Sequence, residues 1–335
     1  MVPHRWTGYV REASNYPPGF ETSRCLLPGS NHFHVYPGFG RRIAAHRPDL
    51  VHVDEEPYSL VTYQVARVCR RAGVPFVPFT WQNIYKRYPF PFSVMEAYVL
   101  RHAAGLLCGN EESAGVFRRK GFAGPIAVIP QFGVEEANFG IRNTHDREGG
   151  LSVVFAGRLV PEKGCALLLM ALKNHTDMKL TFVGTGSDQE ALADRARELG
   201  VDSRVVFRDG VSAREVPAVL AIHDVLVLPS VTRPNWKEQF GRVLVEAMAT
   251  GTPVIGSDSG EIPHVIGDGG LVFREGDVQD LCVKLQNMME ARVRLRFAEK
   301  GIARARSFTQ EVVASATVAF YREVLSKVSE ARPKS

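Results

Sequence analysis

The chain has 335 residues, of which 45% are hydrophobic and 23% are charged, and its formal net charge is +5. This composition excludes a disordered chain, a collagen-like repeat and a small disulfide scaffold, and the length suits two ordinary domains. The longest clear apolar run, residues 165–172, is much shorter than the roughly 20 residues that a transmembrane helix needs.

Residues 1–142 predict an N-terminal α/β domain. Short apolar runs typical of strands alternate with amphipathic stretches typical of helices, which indicates a parallel sheet covered by helices. The predicted strands are 50–53, 75–79, 105–107 and 126–129, and the predicted helices are 60–71 and 93–101. Residues 143–150 are polar, end in glycine and lack a clear pattern, so we expect a hinge there.

Residues 151–306 predict a second domain of the same class, with a clearer pattern. Its apolar runs have no polar face, which indicates strands buried on both sides in a doubly wound sheet. The predicted strands are 151–155, 180–183, 205–207, 225–228 and 253–255, and the predicted helices are 189–199, 216–222, 242–249, 278–289 and 292–306. Residues 307–328 predict a C-terminal helix that begins near Thr309 and crosses back to the N-terminal domain.

Two cations follow the first strand of the second domain. Ligands of open parallel sheets bind at the carboxyl ends of the strands. Gly157 and Arg158 lie at such an end, and Lys163 follows Pro161 where a helix is expected to begin. Arginine binds phosphate oxygens in pairs and lysine adds a point charge, so the two cations would suit a diphosphate. A solvated turn with two surface cations is the alternative.

A glycine pair follows the next strand. Gly184 and Gly186 suggest a dinucleotide-binding turn, but that fingerprint needs a third glycine where the chain has Gln189. The plainer interpretation is a turn that needs a positive φ or a close packing contact.

Two carboxylates, Glu238 and Glu246, flank a predicted helix start at about Phe240. The free N–H groups of a helix N-terminus bind anions, and carboxylates accept hydrogen bonds from sugar hydroxyls. The two acids would therefore bracket a bound phosphate, as a nucleotide-sugar site requires. The alternative is a helix whose acidic start only favours its dipole.

Together these motifs resemble glycosyltransferase family 4. They are Gly157-Arg158 through Glu162-Lys163-Gly164, then Asp224 through Pro229-Ser230, and then Glu238-x-Phe240-Gly241 through Glu246, Gly251 and Pro253. The resemblance is dense from about residue 152 to 273 and looser from 103 to 139. It implies the GT-B fold, in which two Rossmann-like, doubly wound parallel-sheet domains face each other across a cleft. It also implies a retaining transfer of a sugar from a nucleotide-diphosphate sugar to an acceptor hydroxyl.

The resemblance also implies roles for the residues of the donor side. Glu238, Arg158 and Lys163 would act in catalysis, Glu238 by binding the transferred sugar and the two cations by holding the diphosphate. Glu246 would bind the ribose hydroxyls. The donor-binding positions are Glu246, Phe240, Gly241, Arg242, Val211 and Gly157, with Val211 near the base and the backbone of 240–242 on the distal phosphate.

The donor would be the only small molecule that the reaction needs. The chain contains no Asp-x-Asp, which agrees with a metal-independent reaction, and no other cofactor is expected. Neither the base of the donor, in a UDP-, GDP- or ADP-sugar, nor its sugar can be assigned. The acceptor is expected to be a sugar, a lipid or a natural product, and the oligomeric state is open.

The N-terminal domain departs from the family pattern. The first strand, glycine-rich loop and helix of the family are expected to be missing before residues 2–6. Gln82 stands where many relatives have a histidine, and His32, His34 and His52 are alternative imidazoles. Acceptor-side contacts are assigned to Gln82, Glu55 and Glu56, although surface acids are the plainer interpretation of the two glutamates.

Residues 85–92 mix cations with aromatic side chains in a loop. We expect this loop mainly to pack over the first sheet, with acceptor binding and weak contact with an anionic membrane surface as alternatives. The cations of the chain are dispersed, which argues against nucleic-acid binding. The five scattered cysteines indicate reduced thiols, so a cytoplasmic location, at most peripheral to the membrane, is predicted.

Three other functions remain open beside the leading one. The first is a non-catalytic or truncated GT-B protein that binds a nucleotide sugar. The second is another GT-B enzyme, such as a sugar-nucleotide epimerase or a phosphorylase. The third is a dinucleotide-dependent oxidoreductase, which Gln189 disfavours.

Overall fold

A computed structural model describes residues 2–3, 5–6, 9–10, 21–30, 32–140 and 150–331. The chain divides into two compact units. The first unit comprises Met1–Ile129 and Ala316–Ser335, and the second comprises Pro130–Ser315. The predicted hinge lies almost entirely outside the described residues.

The first unit is built on a four-stranded parallel sheet in the order β5-β6-β7-β8. Four two-residue strands precede this sheet in the chain, and β1 pairs with β4 while β2 pairs with β3. The strands are β1 (Val2–Pro3), β2 (Arg5–Trp6), β3 (Tyr9–Val10), β4 (Thr22–Ser23), β5 (Val51–Val53), β6 (Phe76–Thr80), β7 (Leu106–Cys108) and β8 (Ile126–Val128). The helices are α1 (Phe39–His46), α2 (Leu60–Ala72), α3 (Phe92–His102) and α4 (Glu111–Arg119).

Local sequence sets the helix ends of this unit. Ser59 accepts a hydrogen bond from the Thr62 backbone N–H, and Asn110 accepts one from that of Ser113, so both α2 and α4 begin with a side-chain cap. Gly73 ends α2 in the left-handed region, at a φ of 68°.

The second unit holds a six-stranded parallel sheet in the order β11-β10-β9-β12-β13-β14. Its central strand Val225–Leu228 is fully buried, as the unbroken apolar sequence predicts. The strands are β9 (Leu151–Ala156), β10 (Met178–Val183), β11 (Val205–Arg208), β12 (Val225–Leu228), β13 (Val254–Ser257) and β14 (Leu271–Phe273). The helices are α5 (Cys165–Asn174), α6 (Gln189–Glu198), α7 (Val216–Ala221), α8 (Arg242–Thr250), α9 (Ile262–Ile266), α10 (Val278–Met289), α11 (Ala291–Ala305) and α12 (Gln310–Ala331).

Short 3₁₀ turns occur at Glu136–Asn138, Pro161–Lys163, Asp202–Arg204 and Arg306–Phe308. The last helix, α12, has Thr309 as its cap, because the Thr309 hydroxyl accepts a hydrogen bond from the Val312 N–H at 3.3 Å. Residues of α12 from Ala316 onward belong to the first unit, where Phe320 and Val324 are buried next to Gly105.

Most predicted elements are confirmed within one to three residues, and strand 225–228 and helix 278–289 agree at both ends. Among the described elements, β1 to β4, α1, α4, α9 and β14 have no counterpart in the predicted set. These are short elements of two to nine residues, so a hydrophobic period has little length in which to appear.

Candidate functional site

The strand order of the second unit places a crevice at the carboxyl ends of β9 and β12. The chain builds the sheet outward from β9 in one direction and then starts again at β12 on the other side. The loops after these two strands therefore diverge, and this switch point is where doubly wound sheets bind ligands. The β9 loop begins at Gly157 and the β12 loop at Pro229.

A cavity of about 420 Å³ opens at this edge of the sheet. Its volume lies in the range of small-molecule sites. It brings together five of the residues assigned to the donor side, which are Gly157, Arg158, Val211, Arg242 and Glu246. The other lining residues are Ala156, Val183, Gly184, Thr185, Gly210, Val216 and Val243.

Glu246 lies on the wall of the cavity that α8 forms. The Arg242 Nε lies 2.8 Å from Glu246 Oε1, one helical turn away. Burial raises the pKa of the Glu246 carboxyl, and the neighbouring Arg242 guanidinium lowers it in part. The ion pair thus helps to keep a half-buried carboxylate charged, and a charged carboxylate is a strong acceptor for hydroxyl groups.

Arg158 supplies positive charge at the same cavity. Its side chain is exposed, and no carboxylate of the described residues forms an ion pair with it. A guanidinium without an acidic partner at the mouth of a cavity can bind an incoming anion without first breaking a bond within the protein.

Lys163 and Glu238 form a second polar group, outside the residues that line the cavity. Lys163 Nζ lies 2.5 Å from Glu238 Oε2, and the Ser230 hydroxyl donates to the same oxygen at 2.7 Å. Both charged side chains are at most 15% exposed. The Lys163 ammonium also lies 5.2 Å from the centre of the Trp236 ring. Sequence reasoning assigned both residues to the site but did not foresee that they pair.

Helix α8 begins where the predicted helix 242–249 begins, two residues after the start near Phe240 that the anion site assumed. Gly241, at a φ of 75°, precedes the helix, which begins at Arg242. The left-handed backbone of Gly241 sets where the helix begins, and Phe240 is buried with its ring 5.7 Å from that of Phe308. Neither Phe240 nor Gly241 lines the cavity.

The glycine pair after β10 serves a close packing contact. A Cβ at Gly184 would lie 2.0 Å from the Gly157 carbonyl oxygen, and one at Gly186 would lie 2.1 Å from the Leu159 carbonyl oxygen. The Leu159 N–H donates to the Thr185 carbonyl at 2.9 Å, which holds the two loops together. The packing interpretation of these glycines is therefore confirmed.

In the first unit, Glu56 is held at the carboxyl end of the sheet. Its carboxylate accepts hydrogen bonds from the Thr80 hydroxyl at 2.6 Å and the Trp81 N–H at 2.8 Å. Burial raises the pKa of the Glu56 carboxyl, and these two hydrogen bonds and Lys120 lower it in part. The interpretation of Glu56 as a solvated surface acid is wrong, because the end of β6 supplies both donors.

Gln82 belongs to the same polar region. Its side-chain amide donates to the Ile84 carbonyl at 3.1 Å and accepts from Lys120 Nζ at 3.1 Å. Lys120 forms a buried ion pair with Glu96 at 2.5 Å. Lys120 and Glu96 were not singled out as site residues. Glu96 lies among the buried residues of α3, and a buried carboxylate usually has a charged partner. An acid on the apolar face of this helix could therefore have indicated the pair.

The three candidate histidines have different partners. His34 is buried and lies 3.5 Å from the Glu55 carboxylate, and burial lowers the pKa of its ring. The His52 ring lies 2.6 Å from the Tyr321 hydroxyl, and His32 contacts the Tyr58 ring.

Glu55 provides a pH-dependent test of this region. Burial and the charges of Asp54 and Glu56 raise the pKa of its carboxyl from 4.5 to about 7. The folded state therefore holds this proton more tightly than the unfolded chain, so the free energy of unfolding should fall as pH rises from 4.5 to 7. The side chain is 37% exposed, and after solvent screening we expect an effect of about 1 kcal/mol.

Urea unfolding of the parent and of Glu55→Gln across this pH range measures the effect. The variant should lose less stability than the parent as the pH rises. Parallel curves for the two proteins would contradict the prediction, and Glu111→Gln, an exposed acid at the start of α4, is the control.

The loop at residues 85–92 is partly packed and partly exposed. The Arg119 guanidinium lies 4.1 Å from the Tyr85 ring centre, and the Tyr58 and Tyr88 rings are 4.2 Å apart. Phe90, in contrast, is 80% exposed. The packing interpretation thus describes the tyrosines but not Phe90.

All five cysteines are free thiols. Within the described ranges, no cluster of three or more His, Cys, Asp or Glu side chains is arranged to hold a metal ion. Among the helices of the same ranges, none combines the length and the hydropathy of a membrane span.

Two family descriptions match the chain. The family described as "Glycosyl transferases group 1" matches residues 140–306, and the one described as "Glycosyl transferase 4-like domain" matches residues 6–131. The two matches correspond closely to the two sheets described above.

Curated relatives carry related names. The chain is 30% identical over 259 residues to the MMP alpha-(1->4)-mannosyltransferase of Mycolicibacterium hassiacum, which covers 74% of this chain and 61% of the relative. It is 28% identical over 310 residues to the glycogen synthase of Mycobacterium tuberculosis, covering 86% of this chain and 71% of that enzyme. The chain thus spans only about three fifths of the mannosyltransferase.

Solved structures show the same fold at low identity. HepE of Anabaena in complex with UDP aligns with a TM-score of 0.70 at 20% identity, covering 86% of this chain and 82% of that chain. Sucrose-phosphate synthase from Thermosynechococcus elongatus aligns with a TM-score of 0.66 at 20% identity, covering 86% and 77%.

Proposed function

Because the chain belongs to glycosyltransferase family 4 and has the GT-B fold, we propose that it transfers a sugar from a nucleotide-diphosphate sugar to an acceptor hydroxyl with retention of configuration. The observation that supports this most directly is the cavity at the switch point of the second sheet. It combines Arg158, a cation that no carboxylate of the described residues pairs with, and Glu246, a partly buried carboxylate. The cation suits the diphosphate and the carboxylate suits the ribose hydroxyls of a nucleoside diphosphate.

Five donor-side residues receive a role in binding the donor. Arg158 binds the diphosphate, and Glu246 accepts hydrogen bonds from the ribose hydroxyls. Val211, which also lines the cavity, contacts the base. Gly157 and Gly241 let the backbone come close to the donor, since both have positive φ.

Lys163 and Glu238 act next to the diphosphate. In the absence of donor they neutralise each other. When donor binds, the Lys163 ammonium stabilises charge on the leaving diphosphate, and Glu238 binds a hydroxyl of the transferred sugar. A donor phosphate oxygen accepts the proton of the acceptor, so neither carboxylate serves as a nucleophile.

The acceptor is assigned to the carboxyl end of the first sheet, at Glu55, Glu56 and Gln82. The partly exposed Glu55 carboxylate is the group best placed to accept a hydrogen bond from an acceptor hydroxyl. The Glu56 and Gln82 side chains hold the loop in place, because their polar atoms already bond within the unit. A weak contact with an anionic membrane surface is assigned to exposed Phe90 and the neighbouring cations Lys86 and Arg87.

Calorimetric titration with UDP, GDP and ADP, without added metal, tests the donor half of the proposal. Selective binding of one nucleotide identifies the base, and hydrolysis of the matching nucleotide sugar then tests turnover. Binding without turnover would favour the non-catalytic alternative. Binding of none of the three would contradict the donor site.

Glu246→Ala should weaken nucleotide binding about 10- to 100-fold, because one carboxylate that accepts hydrogen bonds from hydroxyls is removed. The same titration measures the loss. Glu190→Ala is the matched control, since Glu190 is an exposed acid on α6 of the same unit. Equal affinities for the two variants would show that Glu246 does not bind the nucleotide.

A further inference from the structure

A second cavity, of about 540 Å³, lies in the first unit on helices α2 and α3. Its lining consists of three arginines and two tyrosines, which are Arg67, Arg70, Arg71, Tyr63 and Tyr98. None of these residues was singled out from the sequence, and none takes part in the proposed transfer.

This arginine cavity lies at the opposite edge of the first sheet from the acceptor-side residues. Helix α2 begins after the carboxyl end of β5 and runs back to the amino end of β6. Arg67, Arg70 and Arg71 occupy its last two turns, so they lie toward the amino ends of the strands. Glu56 and Gln82, in contrast, follow the carboxyl ends of β5 and β6.

The cavity has positive charge without a counter-charge. The three arginines are spaced i, i+3 and i+4, which places them on one face of the helix. No carboxylate of the described residues forms an ion pair with any of them. Some other exposed arginines are paired along their own helix, as Arg195 is with Glu198 and Arg197 with Asp194.

Aromatic side chains contact two of the three arginines. The Arg70 Nη1 donates to the Tyr98 hydroxyl at 3.4 Å, and the Arg67 guanidinium lies 5.8 Å from the Tyr63 ring centre. The Tyr63 and Tyr98 rings are 5.1 Å apart, and His102 packs on Tyr98 at 4.3 Å. Side chains held in this way lose less entropy when they bind a ligand.

Helix capping does not account for the cluster. The backbone N–H of Gly73 donates to the carbonyls of Arg70 and Cys69 at the end of α2. These two carbonyls therefore do not depend on an arginine side chain. The guanidinium N–H groups and tyrosine hydroxyls of this cavity are hydrogen-bond donors of the kind that bind phosphate oxygens.

We propose that the arginine cavity binds a phosphate monoester or diphosphate group, at a site separate from donor and acceptor binding. Such a group occurs in soluble phosphorylated metabolites and in the headgroup of phosphatidic acid. Both sources present the same charged oxygens to the three arginines.

Titration calorimetry with pyrophosphate tests the soluble source. The parent should bind two pyrophosphates, one at the donor cavity and one at the arginine cavity. Arg67→Gln/Arg70→Gln should retain the first and bind the second at least about tenfold more weakly. The control Arg195→Gln/Arg197→Gln removes the same charge from paired arginines and should behave as the parent does.

Failure of the donor site and failure of this proposal give different results. If the donor cavity does not bind pyrophosphate, the parent binds one equivalent and Arg67→Gln/Arg70→Gln binds almost none. Thermal unfolding of the two double variants shows whether both remain folded. We expect that they do, because the substituted side chains are exposed.

Sedimentation with vesicles tests the lipid source. Vesicles of phosphatidylcholine with phosphatidic acid should retain the parent and the control more than Arg67→Gln/Arg70→Gln, and vesicles of phosphatidylcholine alone should retain none. If the two double variants differ in pyrophosphate binding but not in vesicle binding, the site is assigned to soluble phosphates. If the two double variants behave alike with both probes, the proposal is overturned.

Discussion

Glu238→Gln is expected to slow sugar transfer by about 100- to 1,000-fold while nucleotide affinity changes about threefold or less. The amide keeps the shape of the carboxylate but removes the charge that faces Lys163 at 2.5 Å. The Lys163 ammonium then loses its counter-charge in a place where its side chain is only 15% exposed. The variant also loses the acceptor that we assign to the transferred sugar.

A double-mutant cycle with Lys163→Met measures the coupling of the pair. The two residues form one ion pair, and either single substitution already breaks it. The fold-decrease in turnover of the double variant should therefore be much smaller than the product of the two single fold-decreases. The rates of donor hydrolysis and the nucleotide dissociation constants are measured separately. This separates an effect on turnover from an effect on binding.

Glu323→Gln is the matched control for this prediction. It breaks an ion pair with Lys327 at 2.7 Å on α12, where both side chains are about half exposed. Such a pair contributes little in water, so this variant should turn over as the parent does. If Glu238→Gln also keeps the parental rate, the role of Glu238 in transfer is wrong.

Gly186→Ala is expected to lower the free energy of unfolding by about 1–3 kcal/mol. The new Cβ would lie 2.1 Å from the Leu159 carbonyl oxygen, and neither backbone can move without breaking the hydrogen bond from Leu159 to Thr185. Since Gly157, Arg158 and Thr185 line the donor cavity from these two loops, nucleotide affinity should fall by about tenfold or more.

Gly115→Ala is the control for this prediction. Gly115 lies in α4, and no atom lies within 4 Å of the Cβ that alanine would add. Alanine there should stabilise the protein by about 0.5–1 kcal/mol. Urea unfolding and nucleotide titration of both variants provide the comparison. Similar stability and affinity for Gly186→Ala and Gly115→Ala would show that the two loops can move apart freely.

The sequence predicted the sheet of the second unit well because burial and periodicity are local properties. Strands such as Val225–Leu228 are apolar on both faces, and only a sheet covered on both sides can bury them. Long helices such as Val278–Met289 repeat their apolar positions often enough to be recognised. Short elements such as Ile262–Ile266 give no such signal.

Part of the candidate site could also be predicted, because parallel strands carry their following loops to one edge. Arg158, Val211 and Glu246 come from three separated segments of the chain and meet at one cavity. In a parallel sheet, the segments that follow the strands lie at the edge where the strands end, so all three residues are expected at that edge of the second sheet. Their assigned roles in binding a donor remain proposals.

The sequence by itself determined the fold class, the family and the residues that follow each strand of the second sheet. Only the tertiary structure decided which of those residues pair with one another. The Lys163–Glu238 ion pair, the Lys120–Glu96 pair and the arginine cavity join side chains or helices whose distances depend on how loops close and helices pack. Hydrophobic periodicity specifies which face of an element is buried, but a charge finds its partner only after the packed elements bring the two groups within hydrogen-bonding distance.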